Sequence, residues 1–600
     1  MVAETIADQV IVAAPVAGSW VSWIVSPTWP GTGIGVCTHA LAEASQLSAV
    51  QELPSLQVGG VDARQAPLVE SHVSAPLQNT PSSQSAFATQ PHLKDPHQVP
   101  QRPVSFIGHA PPLCCPDRAG FLTGDYPHDS GVFSNHPGYS DLRGKSNTLP
   151  VWLQRAGYQT IHLGKYLNQY GTRNPREIPP GWGQWYGTPD PSTYRYLDYT
   201  INENGNLVQF GTAAGDYKTD VESRLAVDLI ARQATDPRPF FMWVAFVAPH
   251  SGAPRDADDP TGLATPSPAP RDKDHFANEP LPMPPSFNEA DVSDKPAAIR
   301  NKALLGPGKI RAIRENYQQR LESLLAVDDA VAQIVNELAR TGKLNDTYII
   351  FTSDNGFFHG EHRVQAGKVL LYEPSVRVPL LIRGPGIPAG RHRSQFVANT
   401  DLAPTIVQAT GAQPGRVMDG RSLIPFAKDR LLQSGRDILL ETPTYAAVRS
   451  PNWLYAEHVT GEKELYNLAR DRDELNSLQT NPNYDRMEAN LAARLARLRQ
   501  CKGAVCRRGP QLSLGARVQR RGTCRSSSVA ARVGGPSLRR VSNTVFYLDR
   551  HLLKRDRRAP FTAFVPKRFA KPGGSLLEAL ITLTDSRRQT LGRHIVGCRF

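Results

Sequence analysis

Along the chain, short unbroken apolar runs alternate with longer amphipathic stretches. Residues 160–163, 240–247 (FFMWVAFV), 348–352 (YIIFT) and 378–382 are runs of β-branched, aromatic and aliphatic residues, the pattern of strands buried on both faces. Between them the period becomes helical. The stretch 221–231 is amphipathic, and Thr219 with Glu222 has the capping-box spacing at its start. Over 310–340, Leu321, Leu324, Leu325, Val327, Val331, Ile334, Val335 and Leu338 fall on one stripe that stops before Gly342, a residue suited to a left-handed terminus. Strands alternating with helices of this length predict an α/β fold over 101–430, a mostly parallel sheet flanked by helices on both faces.

The pattern changes after 430. Residues 438–466 read as antiparallel strands and 485–499 as a helix with leucines and alanines on one face, together a small α+β subdomain over 431–508. Runs at 542–548, 559–565, 576–583 and 592–596 alternate apolar with polar residues between turn residues, predicting an all-β, sandwich-like module over 515–600. Residues 1–100 differ from everything else. They hold two basic residues, Arg64 and Lys94, and are rich in Ser, Gln, Pro, His and Ala, so apart from a strand run at 9–14 this segment is expected to be poorly ordered. An abrupt compositional change of this kind is what a disrupted frame or displaced start produces.

Composition narrows the class. Six hundred residues allow about two to four domains. Mean hydropathy is −0.38, and no run reaches the roughly 18 apolar residues of a bilayer span, so no membrane-spanning segment is expected. The net charge of +13 is uneven: residues 501–600 carry 22 Lys and Arg against 4 Asp and Glu. Such a tail can steer an anionic polymer or can simply be solvated, and no aromatic-interleaved basic motif for nucleic acid occurs in it. Seven cysteines are too few for a disulfide scaffold, although Cys501 with Cys506, and Cys524 with Cys598, can pair in an oxidising compartment. A secretory signal is not legible, because Glu4, Asp8 and Pro15 interrupt the apolar run.

Candidate chemistry clusters at the strand ends. In 113–124, LCCPDRAGFLTG, Cys114 and Cys115 read either as small buried residues, as a vicinal disulfide, or as part of a longer motif with Pro116, Arg118, Leu122, Thr123 and Gly124. Lys165 follows the strand run 160–163, and His250 follows 240–247, positions where open α/β sheets place ligands. Asp354 and Asn355 close the run 348–352 with two hard oxygen donors, suited to Ca²⁺ or Mg²⁺ or to an Asn-Gly turn. Lys368 lies shortly beyond. Asn168 could donate to an anion or cap a loop, and His359 and His362, flanking Gly360 and Glu361, share a face only if that segment is helical and otherwise read as solvated loop histidines.

Taken in order, these elements resemble the sulfatase family, whose signature Cys-x-Pro-Ser-Arg is followed by Leu-Thr-Gly. The segments GKYLNQYG, PPGWGQWYG, FVAPH, LAVDD, GKLNDTYIIFTSDNG and VPLLIRGPGI are most similar to the N-acetylglucosamine-6-sulfatase branch, and the likeness spans about residues 105–500. The resemblance implies an alkaline-phosphatase-like sulfatase fold for 101–430. It implies that Cys114 is oxidised to formylglycine by a formylglycine-generating enzyme, its hydrate attacking the sulfate sulfur of a sulfated sugar or glycan. Arg118 would orient the diol, while Lys165, His250 and Lys368 neutralise the sulfate oxygens and assist the leaving oxygen. Asn168 would contact substrate, and Cys114, Asp354 and Asn355 would hold a divalent metal, by family Ca²⁺. A secreted or periplasmic location follows by the same route. Two other readings stand beside it: a phosphomonoester or phosphonate hydrolase of the same superfamily, and a non-catalytic binder of sulfated glycan using Lys165, Lys368 and the basic tail.

Two departures modify this expectation. The family's serine is Asp117 here, a negative charge beside a site for anions. The Asp-Asp pair that sulfatases carry at the end of their first strand is absent before Cys114, so that strand is expected to be missing or replaced, the cation site weakened and activity impaired.

Overall fold

The computed structural model describes residues 9–13, 103–519, 528–565 and 574–595. The expectations for the remainder of residues 1–100, and for Cys524 with Cys598, lie outside the described residues. Ten strands form the main sheet: β1 Gln9–Ala13, β2 Val104–His109, β3 Gln159–Lys165, β4 Gln184–Thr188, β5 Tyr199–Glu203, β6 Asn206–Phe210, β7 Phe240–Ala245, β8 Tyr348–Thr352, β9 Arg377–Arg383 and β10 Arg391–Arg393. Their spatial order is β10-β2-β9-β8-β1-β7-β3-β4-β5-β6. Strands β2, β3, β4, β6, β7, β8 and β10 point one way, and β1, β5 and β9 the other.

The apolar runs are continuous because both faces of this sheet are covered. On β7, Phe241, Trp243 and Ala245 pack with residues of helices α1 Cys114–Thr123, α2 Leu149–Arg155 and α5 Leu402–Thr410. Phe240, Met242 and Val244 of the same strand pack on the opposite side with α3 Lys218–Gln233 and α4 Pro307–Arg340. Side chains alternate across a strand, so a single run feeds two cores, each fully buried Phe, Leu or Val contributing about 1.5–3 kcal/mol. The capping box does not form. Helix α3 begins at Lys218 with Tyr217 at its N-cap and no side-chain cap, which places Thr219 inside the first turn and buries Glu222, whose carboxyl burial pushes up to about 8.

The carboxyl ends of β3, β7 and β8 are level, since Gly164 pairs with Ala245, and Gln9 pairs with both Ala245 and Thr352. Strand β2, which the patterning did not single out, runs the same way and leads into Cys114. Four segments therefore leave one edge of the sheet: the β2–α1 loop and the chain after Lys165, after Ala245 and after Thr352. The place between β7 and β8 is filled by β1, antiparallel to both. Its carboxyl end, Ala13, pairs with Phe241 and Tyr348 and so lies at the opposite edge from Cys114.

Beyond this sheet, strands Ile438–Glu441, Tyr445–Ser450, Trp453–His458 and Lys463–Asn467 form an antiparallel sheet. Helix α6 Asp485–Leu498 packs its Leu491, Leu495 and Leu498 against Val448 and Tyr455 of that sheet. Cys501 and Cys506 are disulfide-bonded. A three-stranded sheet (Ser513–Gln519, Ser528–Gly534, Thr562–Val565) and a four-stranded sheet (Val541–Leu548, His551–Asp556, Ser575–Leu583, Arg588–Ile595) share one core containing Val533, Phe546, Ala563, Leu577 and Ile581. A buried ion network joins these parts: Arg494 pairs with Asp437 and, at 3.1 Å, with Asp585, and Arg587 reaches Asp437 at 3.0 Å.

Candidate active site

Cys114 is the first residue of α1, where the unsatisfied amides of the first turn leave partial positive charge. Its side chain is fully buried, and the Lys368 ammonium lies 2.7 Å from its sulfur. Lys368 also donates to Asn355 Oδ1 at 3.1 Å. One turn along α1, Arg118 Nε donates to Asp354 Oδ2 at 2.6 Å and its Nη1 to the Lys165 carbonyl at 2.8 Å, while its guanidinium faces the Trp243 ring. Lys165 Nζ stands 3.9 Å from the same Asp354 oxygen. Residues separated by hundreds of positions thus meet around one sulfur.

The electrostatics follow from burial against this density of charge. Burial pushes the Asp354 carboxyl up, but Arg118, Lys165 and Lys368 outweigh it and hold the group well below the usual carboxylate range. Burial pulls Lys165 down, and its proximity to Cys114, the Tyr194 hydroxyl and Asp354 more than offsets this, so the ammonium persists. His250 is pulled well below its ordinary value by burial and then by Lys368 and Lys165. It is neutral at pH 7, and its Nδ1 is 2.8 Å from the Ser251 carbonyl, which fixes the proton on Nδ1 and leaves Nε2 as an acceptor. Neighbouring Cys115 is inert by contrast: burial pushes its thiol up to about 12. The two cysteines are not bonded to each other.

Asn168 faces this group indirectly. Its Nδ2 donates to the Tyr194 hydroxyl at 2.7 Å, and the Tyr194 ring lies 5.2 Å from Lys165 Nζ and 4.5 Å from the His250 ring. Tyr194 carried no sequence signal; it sits in a short turn, and only folding brings it between a lysine and a histidine. Asn399 went unnoticed for the same reason. Its Nδ2 donates to Asp117 Oδ2 at 3.0 Å and to the Ser353 carbonyl at 2.7 Å, so the Asp117 charge is engaged by an amide behind the Asp354 loop. Arg320 on α4 donates to the Pro249 carbonyl at 2.8 Å and steadies the His250 loop. His359 and His362 are neither helical nor solvated. Both are buried, His359 edge-on to Tyr317 and His362 with Nδ1 2.6 Å from Glu289.

The donors among the described residues do not suit a divalent cation. Asp354 is the single carboxylate facing the site, and Arg118 and Lys165 already lie against it; Asn355 turns its Oδ1 to Lys368. A hard dication seeks six to eight oxygens, with several carboxylates among them. Among the described residues one other trio, His128, Asp129 and Asp419, comes within 4.8 Å. His128 is no ligand there: Nδ1 meets Glu441 at 2.7 Å and Nε2 the Cys501 carbonyl at 2.8 Å, so both nitrogens carry protons. Burial pulls it down, yet Glu441 and that carbonyl raise it to about 9.

Comparison with known proteins gives the site its setting. Residues 79–412 match the family model for sulfatases, and residues 360–501 match that for the C-terminal region of N-sulphoglucosamine sulphohydrolase. The chain is 34% identical to an arylsulfatase of Volvox carteri, over 66% of this chain and 69% of that one. It is 32% identical to N-acetylglucosamine-6-sulfatase of Homo sapiens, over 66% of this chain and 78% of that one. Among solved structures it resembles BT4656, determined in complex with its substrate D-glucosamine-2-N,6-O-disulfate, with a TM-score of 0.54, 24% identity, and coverage of 66% of this chain and 90% of that one; this likeness speaks to the fold.

Proposed function

The chain belongs to the sulfatase family of sulfuric ester hydrolases, and on that premise we propose that it releases sulfate from sugar sulfate esters such as 6-sulfated N-acetylglucosamine, with Cys114 converted to formylglycine as its nucleophile. One observation carries this reading: a fully buried Cys114 sulfur at a helix N-terminus with an ammonium 2.7 Å away and two further cations gathered on Asp354. That is a cradle for a tetrahedral anion and for the charge that builds on it.

The position fits the modified residue. A small polar group in place of the thiol keeps the Lys368 contact, and the hydrated aldehyde supplies an oxygen nucleophile that no ordinary side chain offers. The rest is work for this chain's own groups. Lys165 and Lys368 pair with sulfate oxygens. Arg118, locked between Asp354 and the Lys165 carbonyl, holds Lys165 and Asp354 in register. His250, neutral with Nε2 open, takes up the proton that the attacking hydroxyl gives up and returns it to the departing sugar oxygen. Preorganised charges of this kind contribute about 3–4 kcal/mol each to lowering a barrier, because they need no reorganisation as charge develops. The domain limits suggested by the sequence, with a catalytic part over 101–430, an α+β part over 431–508 and a basic β module over 515–600, are proposed as the unit layout. Release to the cell exterior, as the extracellular relatives of Drosophila melanogaster suggest, belongs to the same proposal.

Incubation with 4-nitrocatechol sulfate and with 6-sulfated N-acetylglucosamine is the direct test. Sulfate release from the sugar ester is expected; phosphate release from matched phosphomonoesters at an equal or higher rate would overturn the reading in favour of a phosphatase. A second expectation concerns the metal. With Asp354 the single carboxylate among the described residues of the site, and already paired with Arg118 and Lys165, calorimetric titration with Ca²⁺ should show no micromolar binding, since affinity for hard cations follows the number of carboxylates. Micromolar binding would mean that further carboxylates join Asp354.

A further inference from the structure

Asn168 is buried, and its side-chain amide donates to the Tyr194 hydroxyl at 2.7 Å. Its backbone is held as well, since the Asn168 carbonyl accepts from Tyr139 N at 2.8 Å. Tyr194 ends the short turn Ser192–Tyr194, is half-buried, and is clamped from two directions. On one side Lys218 of α3 donates to the Ser192 and Thr193 carbonyls at 3.0 and 2.9 Å. On the other, the Tyr194 carbonyl accepts from Ala253 N at 2.9 Å, in the loop that follows His250. Gly252 in that loop lies so close that a Cβ there would come within 2.4 Å of the Tyr194 carbonyl oxygen. The turn bearing Tyr194 and the loop bearing His250 are therefore joined through their backbones, and the Tyr196 hydroxyl adds a bond to the His250 carbonyl at 2.7 Å.

The Tyr194 ring bears on two groups that the chemistry uses. Its centroid is 5.2 Å from Lys165 Nζ and 4.5 Å from the His250 ring, at a tilt of 41°. Burial pushes its hydroxyl up to about 12, so the ring meets both groups uncharged. While His250 holds a proton, Lys165 and Lys368 oppose the added charge, and a π face beside the imidazole favours it by cation–π attraction. That service depends on the angle of the ring, which the Asn168 bond to its hydroxyl restrains. We propose that Tyr194 is a positioning residue for His250, its ring steadying the imidazole that serves the leaving oxygen, and that Asn168 acts through Tyr194 by fixing this ring and does not touch the substrate. The inference rests on the hydrolase reading above and gives Asn168 a role other than the substrate contact that the family resemblance implied.

The test uses the full chain and the variants Tyr194→Leu, Tyr194→Phe, Asn168→Ala and the last two combined. Sulfate release is measured with 6-sulfated N-acetylglucosamine, whose alcohol needs a proton as it leaves, and with 4-nitrocatechol sulfate, whose phenolate leaves unaided. Tyr194→Leu should lower kcat about tenfold more on the sugar ester than on the aryl ester, because only the sugar ester depends on the proton from His250. Tyr194→Phe keeps the ring and should recover most of this. Tyr194→Phe and Asn168→Ala each break the same hydrogen bond, so each should lower kcat on the sugar ester about threefold, and the combined variant no further. Equal losses on both esters with Tyr194→Leu, additive losses in the combined variant, or a raised KM with Asn168→Ala alone would overturn the inference. A readout free of turnover accompanies these. In spectra of the chain with isotope-labelled histidine, the His250 ring signals, assigned by their absence from His250→Gln, should shift alike in Tyr194→Phe, Asn168→Ala and the combined variant; unmoved signals would also overturn the inference. Shared shifts in a chain that releases no sulfate from either ester would instead uphold the positioning and refute the hydrolase reading, so the two failures are distinct.

Discussion

Cys114→Ala is expected to bring sulfate release from aryl and sugar esters down to the uncatalysed background. The side chain is fully buried, small, and placed where α1 begins, so alanine fits without a clash, and the loss in stability should stay near 1 kcal/mol. What disappears is the atom that faces Lys368 at 2.7 Å and, with it, any nucleophile derived from it. Cys115→Ala is the matched control. Its thiol is as deeply buried, and burial keeps it protonated, so the variant should retain most of the activity. Mass spectrometry of the peptide containing Cys114 completes the measurement: in active protein that peptide should be lighter by the difference between a thiol and an aldehyde. Wild-type rates from Cys114→Ala, or an unmodified thiol in fully active protein, would remove the foundation of the proposed chemistry.

The second large effect belongs to Arg118. Its guanidinium has no exposure, bonds Asp354 at 2.6 Å and the Lys165 carbonyl at 2.8 Å, and lies against Trp243. Arg118→Met leaves a buried carboxylate short of its closest partner, at a cost of about 3–5 kcal/mol in folding stability. The double variant Arg118→Met with Asp354→Asn removes both charges and should recover most of that stability while activity stays lost, because Lys165 is no longer held in register. Denaturant midpoints and kcat/KM, measured side by side on the single and double variants, separate the two effects. A single variant as stable as the parent, or a double variant that regains activity, would show that Arg118 does not organise the site.

Much of the site was legible because sheet architecture turns sequence order into position. Lys165, His250 and Asp354 were recognisable as residues that follow apolar runs, and an α/β sheet carries the ends of its co-directed strands to one edge. Cys114 required a motif, since β2 was not evident from the pattern around 104–109. The capping box at Thr219 failed for a local reason: the helix began two residues earlier than the spacing implied, with Tyr217 as its cap. His359 and His362 were misjudged as solvated because polar composition describes a loop's average exposure and says nothing of the tyrosines and the glutamate that fold over it.

The sequence by itself determined that the runs at 160–163, 240–247, 348–352 and 378–382 become strands, that amphipathic helices lie between them, and that a cysteine, an arginine, a lysine, a histidine, an aspartate and a second lysine follow one another in that order along the chain. These are consequences of side-chain periodicity, which is written within a few residues. Only the tertiary structure decided partners and directions. It set β1 antiparallel between β7 and β8, bound Asp354 to Arg118 across 236 positions and Cys114 to Lys368 across 254, and slid Tyr194 between lysine and histidine. Coulomb and hydrogen-bond energies depend on distances in space, and those exist only once the chain has closed on itself.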